Sequence, residues 1–347
     1  MSHASSSESR ARAHGTKGLS HAPGDCQPQC KIPLRAPSAG HRLAARMCSC
    51  WPYRVAMQLN SSFSCNSVIW IASLSEDELG PTRRMTEDVA AVSRYLGVRF
   101  DRIDVKDRLG LADALRHLGH RARSEGLRPI LVLDAHGNQK DGLKLAGPGE
   151  VMAWTDLGTL LRPINVATGN NLCVIGAACF SLGAIAPTKL DQATPFYVLL
   201  APARKVKVGF LEKNIPAFFR ELFTHGSLDE AHRQYLSESF RYFHCEKTLL
   251  LSVARYIKAA CRGKPATERR ERLMTEVFMQ GMENTAGNRK SVRDKLKAGL
   301  KPDQALLDRY AGTFLVGKRC SFTMEELLAV LDEAQGGAAV VDQRSCE

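Results

Sequence analysis

No stretch of this 347-residue chain approaches the roughly 20 consecutive apolar residues that a membrane-spanning helix needs. The N-terminus lacks a basic segment followed by an apolar one, so no secretory signal is read there and a cytoplasmic protein is expected. The eleven cysteines make an odd number, and Cys173, Cys245 and Cys261 fall inside apolar patterns. That suits free thiols in a reducing compartment better than a disulfide framework. Cys26, Cys30, Cys48 and Cys50 with His41 have none of the usual paired-cysteine zinc spacings; zinc there is a minor alternative, and neither metal nor cofactor is expected. There is no internal repeat. Acidic residues number 36 against 48 Lys and Arg, giving a formal charge of +12. Such a surplus permits contact with an anionic partner without demonstrating one.

Residues 1–56 are rich in Ser, Ala, Gly, Pro, Arg and His and have no apolar periodicity, so a disordered leader is expected, with Met57 an alternative start. From Ser67 the pattern becomes regular. Val68–Ala72 reads as a strand, Thr82–Leu96 as a helix, Arg99–Val105 as a strand and Leu111–Ser124 as a helix. Two apolar, β-branched runs then follow, Pro129–Asp134 and Leu172–Gly176, too short for buried helices. A β-α-β-α-β order implies an α/β fold, a mostly parallel sheet flanked by helices. Between those runs, Asp141–Leu145 reads as a short strand and Trp154–Leu161 as a helix; beyond them, Phe196–Leu200 is a strand, and Ile215–Phe223 and Leu228–Phe240 are helical patterns. The expected domain spans residues 57–245, and residues 246–347, mostly helical by pattern, form an appended C-terminal module.

The chemistry lies at the strand ends. The first run finishes in Asp134-Ala135-His136-Gly137 and the second in Ala177-Ala178-Cys179. In a parallel pair the imidazole and thiol emerge at one carboxyl edge, where open α/β sheets bind ligands. Two other His-Gly pairs occur, His14-Gly15 in the leader and His225-Gly226 at a helix end, where Gly is a C-cap. Cys179 alone reads more simply as a core thiol. With His136 in reach it becomes a candidate nucleophile, since a thiol with a pKa near 8.5 needs a base or cation to ionise at neutral pH. Small residues around it, Ala177, Ala178, Ser181 and Gly183, would leave the strand end uncrowded. The Gly137 and Cys179 amides could face a developing oxyanion. Asp134 is a candidate to orient the imidazole; a capping strand-end carboxylate is the alternative.

These residues resemble the caspase-like cysteine peptidases, closest to the bacterial CHAT-type domains. In that group a hydrophobic strand ends in His-Gly and the next core strand in Ala-Cys or Asp-x-Cys, as His136-Gly137 and Ala178-Cys179 do. Asp141–Leu145, Trp154–Leu157, Phe196-Tyr197, Phe218–Leu222 and Gly226–Ala231 also follow the CHAT order of segments, and the resemblance covers about Ser67 to Tyr235. It implies a cysteine endopeptidase acting on a protein substrate through a thioester, with His136 as general base or acid, Cys179 as nucleophile, and the Gly137 and Cys179 amides as oxyanion donors. Ala177 stands where many Arg- or Lys-specific relatives keep an acidic residue, so a basic substrate preference is unsupported. The competing expectation is a catalytically inactive scaffold or interaction module with a basic helical docking surface for a regulatory protein partner. Gly312–Lys318 has P-loop spacing, but Arg319 replaces the required Ser or Thr and no βαβ unit precedes it, so a loop is expected. The basic helices between Arg262 and Lys301 have few aromatics, which disfavours nucleic acid.

Overall fold

Ser67–Ser73 is buried along its whole length, so both faces of this apolar run must be covered, as in a parallel sheet between two helical layers. A computed structural model describes residues 30–35 and 59–342. In chain order the elements are β1 (Cys30–Arg35), β2 (Asn60–Cys65), β3 (Ser67–Ser73), α1 (Leu79–Tyr95), β4 (Arg99–Asp104), α2 (Arg108–Ser124), β5 (Pro129–Asn138), β6 (Gly142–Lys144), β7 (Val151–Met152), α3 (Trp154–Ala167), β8 (Cys173–Ala177) and β9 (Val198–Pro202). Then follow α4 (Val208–His225), α5 (Leu228–Ala231), β10 (Phe240–His244), α6 (Cys245–Tyr256), α7 (Gly263–Met279), α8 (Ala286–Gly299), α9 (Gln304–Phe314) and α10 (Met324–Asp342).

The sheet runs β10-β9-β8-β5-β3-β4, with β6 and β7 extending it from β5. All neighbours from β4 to β9 are parallel; β10 closes the edge antiparallel to β9. The fold is thus α/β, a mostly parallel sheet flanked by helices with a C-terminal helical part. Strand alternation sends Val68, Trp70, Ile130, Val132, Cys173 and Ile175 to one face, packed on α1 and α4. Ile69, Ile71, Leu131, Leu133 and Val174 face the other way, onto α2 and α3.

Several features depart from the sequence pattern. Strand β1, antiparallel to β2, lies inside the stretch expected to be a disordered leader; Ile32 and Leu34 in Cys30-Lys-Ile-Pro-Leu-Arg35 have strand alternation. Cys26, His41, Cys48, Cys50 and Met57 lie outside the described residues. The pattern read as a helix over Leu228–Phe240 is instead α5, a π-helical turn at His232–Leu236 and the start of β10. Gly312–Phe314 completes α9 rather than belonging to a loop. Past it, Lys318 Nζ donates to Ser62 O at 2.8 Å and stands 3.6 Å from the Tyr197 ring centroid, a half-buried tether rather than a phosphate lysine. Gly226 does cap α4, with φ of 67° and its N–H on Leu222 O.

The C-terminal helices are not peripheral. Leu249 and Val253 of α6, Leu307 and Phe314 of α9, and Leu327 and Leu331 of α10 are buried in the same cluster as the sheet face carrying Trp70. Helices α7 and α8 differ, burying only Met274 and Val292. No helix among the described residues is long and apolar enough to cross a membrane.

Candidate active site

Strands β3, β5 and β8 lie side by side, with Ala72 opposite Asp134 and Asp134 opposite Ala177. Two residues further along β5 and its neighbour come His136 and Cys179. His136, still within β5, has the parity of Ile130 and Val132, whereas Cys179 follows the end of β8 in a turn. The chain leaving β3 turns through Glu76–Glu78 into α1 above this same edge. Glu78, His136 and Cys179 therefore come from three adjacent strand ends.

Gly137 explains why the histidine must be followed by glycine. A Cβ there would stand 1.8 Å from the Cys179 carbonyl oxygen and 3.2 Å from its amide nitrogen. The strand end carrying His136 thus lies directly on the Cys179 peptide, an approach only glycine permits. The Cys179 thiol is half-buried. Its Sγ accepts from the Val206 N–H at 3.4 Å and donates to Val206 O at 3.7 Å. Phe180 follows with φ of 61°, a left-handed conformation uncommon for a bulky residue. Its N–H donates to Arg204 O at 3.2 Å, joining the thiol-bearing turn to the loop between β9 and α4 a second time.

His136 is exposed, and its Nε2 lies 2.7 Å from Glu78 Oε1. An ionised carboxylate only accepts, so Nε2 carries the hydrogen and donates, leaving Nδ1 as the basic nitrogen of the neutral ring. The other Glu78 oxygen, Oε2, accepts from the Ser75 hydroxyl and from the Ser75 N–H at 3.3 Å. The Ser75 bond first, and the His136 bond second, hold the Glu78 carboxyl below the usual range. Sequence reasoning missed Glu78. The available signal was Ser75-Glu-Asp-Glu78, a capping-box spacing directly after the first core strand.

Asp134, expected as a candidate to orient His136, is turned inward and 4% exposed. Its Oδ2 accepts from Trp70 Nε1 at 3.1 Å and Thr82 Oγ1 at 2.7 Å. The carboxylate bonded to the imidazole is Glu78. Burial pushes the Asp134 pKa up, against these two bonds. The small residues near the thiol are also small for packing reasons. A Cβ on Gly176 would meet Ser181 Oγ at 2.3 Å, and one on Gly183 the Trp154 ring at 2.6 Å, while Ala177 and Ala178 are buried.

Elsewhere, burial pushes the Cys173 and Cys245 thiols far up and Cys320 to about 12. Those thiols stay protonated at neutral pH, unsuited to nucleophilic attack. Comparison of the chain with protein-family models returns no match, and comparison with curated proteins returns none either.

Proposed function

We propose that this protein is a cysteine endopeptidase of the caspase-like kind, with Cys179 as nucleophile and His136 as its acid and base. The observation that supports the reading is the contact of Gly137 with the Cys179 peptide beyond the paired ends of β5 and β8, which brings the residue after His136 against the residue that bears the thiol. In this reading the two strand ends hold nucleophile and base together, so that proton transfer and attack proceed within one encounter complex.

Nδ1 of His136 accepts the thiol proton, and the Sγ electron pair forms a bond to the peptide carbonyl carbon. The carbonyl electrons move onto oxygen, which the amides of Gly137 and Cys179 receive. Collapse expels the amine, which takes the proton from Nδ1, and a thioester remains on Cys179. Water then attacks the thioester, gives a proton to Nδ1, and releases the acid product as the thiol is reprotonated. Glu78 holds Nε2–H throughout and offsets the positive charge on the ring while it carries two protons.

The exposed α7 and α8, rich in Arg and Lys, favour a second reading in which the fold serves to dock a protein partner and needs no turnover. A peptidyl electrophile that imitates an acyl donor separates the two. Under the peptidase reading it labels one thiol per chain, maps to Cys179, and fails to label His136→Ala at a comparable rate. Labelling spread evenly over exposed cysteines, unaffected by His136→Ala, would count against it.

A further inference from the structure

Strand β5 outruns its neighbours. Its last partner on β3 is Ser73, opposite Ala135, and its last on β8 is Ala177, opposite Asp134. From His136 to Asn138 it pairs, among the described residues, only with β6, in the short hairpin that leads through β7 into α3. The thiol also lies beyond the sheet, in the turn between β8 and the 3₁₀ segment Ser181–Ile185. Hydrogen bonds of the main sheet therefore do not fix imidazole and thiol against each other. That relation is set by whatever joins the two overhanging segments.

Trp154, the first residue of α3, lies between them and is 6% exposed. Its Nε1 donates to Asn138 O at 3.0 Å, two residues past His136. A Cβ built on Gly183 would stand 2.8 Å from the same Nε1 and 2.6 Å from Cδ1, so the indole rests directly on this glycine. Gly183 in turn donates its N–H to Phe180 O at 2.9 Å, back at the residue after the thiol. One ring thus touches both the segment after the imidazole and the turn after the thiol. Four residues along α3 the close approach is repeated, where a Cβ on Gly158 would meet Pro187 Cγ at 2.4 Å. Glycines on either side of this contact let helix and turn approach more closely than a side chain permits. The indole N–H can only donate, so once buried it depends on the Asn138 carbonyl, and the carbonyl is held by it.

Resting on the peptidase reading above, we propose that Trp154 is a positioning residue, holding the end of β5 that carries His136 against the turn that carries Cys179. It acts through Asn138 and Gly183 rather than on the reacting atoms. Without the N–H the overhanging strand end keeps only its hairpin and the Gly137 contact, and a misplacement of about 1 Å between base and nucleophile costs on the order of 10²-fold in rate.

Alkylation of the full chain by iodoacetamide at neutral pH tests this without requiring turnover. Rates are read at each cysteine by peptide mapping, with Cys261 as the internal reference, in wild type, Trp154→Phe, His136→Ala and the double variant. Each single change should slow Cys179 against the reference by on the order of tenfold, since its thiolate is favoured by the imidazole. The double variant should be no slower than His136→Ala alone, because the indole acts only through the imidazole. Multiplied losses in the double variant, or an unchanged rate in Trp154→Phe, would overturn the proposal. Leu161→Val trims a buried residue further along α3 and should lower the thermal midpoint while leaving the Cys179 rate alone; equal slowing there would reduce the effect to general loosening and overturn it too. If circular dichroism shows Trp154→Phe unfolded, Gly183→Ala replaces it, since the added methyl meets the indole. The same non-additive loss is then expected, and a multiplied loss overturns the proposal. A His136→Ala chain alkylated as fast as wild type sinks the peptidase reading and the positioning role with it, whereas slow His136→Ala beside unaffected Trp154→Phe sinks the positioning role alone.

Discussion

At the scale of single residues, Gly137 offers the sharpest test of how the site is assembled. A methyl group there cannot coexist with the Cys179 carbonyl at its present distance. Gly137→Ala should therefore displace one strand end, cost about 1–3 kcal/mol as an overpacked contact, and abolish turnover; thermal melts and peptide cleavage read the two effects together. The two acidic residues at this edge should respond differently to substitution. Asp134→Ala strands the Trp70 indole N–H and the Thr82 hydroxyl in the interior, so a loss of about 1–3 kcal/mol in stability is expected with no selective effect on the residual turnover per folded molecule. Glu78→Gln keeps the shape but not the charge beside Nε2, and should lower turnover by roughly 10²-fold with little change in midpoint. Equal behaviour of the two variants in cleavage and melting assays would contradict this division between a structural and a positioning carboxylate. Glu78 escaped sequence reasoning because a part-exposed acid in a turn looks like any solvated or capping residue; only the register of β3 against β5 brings it to the imidazole.

At the scale of elements, the central strands were legible because they are short β-branched runs buried on both faces, and His136 and Cys179 were legible as the residues at their ends. Edge strand β10 was not. Phe-Arg-Tyr-Phe-His has one buried end residue at each side and half-buried residues between, and it interrupts what otherwise reads as one helical pattern. The junction it forms with α6 holds His244, whose Nδ1 accepts the Glu246 N–H at 3.1 Å. Burial, then Lys318 and Lys247, lower the His244 pKa from 6.5 to about 3, and burial lowers His232 as well. Between pH 6.5 and about 3 the unfolded chain therefore binds more protons than the folded one, so stability falls as pH drops through that window. The thermal midpoint should decline on acidification from about pH 6.5, the ordinary histidine pKa, and His244→Gln should flatten that decline. A wild-type midpoint constant down to about pH 4 would contradict the burial of a neutral imidazole at this junction.

Across the whole molecule, the C-terminal helices are held to the sheet by a buried polar knot as well as by apolar packing. Glu246, 1% exposed, accepts from Tyr197 Oη at 2.9 Å and from Ser321 Oγ at 2.6 Å, linking the segment entering β9 to the approach to α10. A composition-based boundary near residue 246 cannot reveal this, because apolar positions in α6, α9 and α10 look the same whether they pack on each other or on the sheet. A chain ending at His244 exposes several buried side chains, each worth roughly 1.5–3 kcal/mol, against a total stability of about 5–15 kcal/mol for a domain. Such a truncation should not fold, as circular dichroism and solubility would show; a soluble, cooperatively melting truncated chain would contradict the shared core.

The most direct test of the Cys179–His136 pair is cleavage of a peptide library by the wild-type chain, Cys179→Ala and His136→Ala, with circular dichroism confirming that all three are folded. Both side chains sit at an accessible strand edge rather than in the core, so both variants should retain the wild-type spectrum and midpoint while turnover falls by about 10³-fold or more. A Cys179→Ala protein that cleaves as fast as wild type would contradict the assignment of the nucleophile, and with it the site.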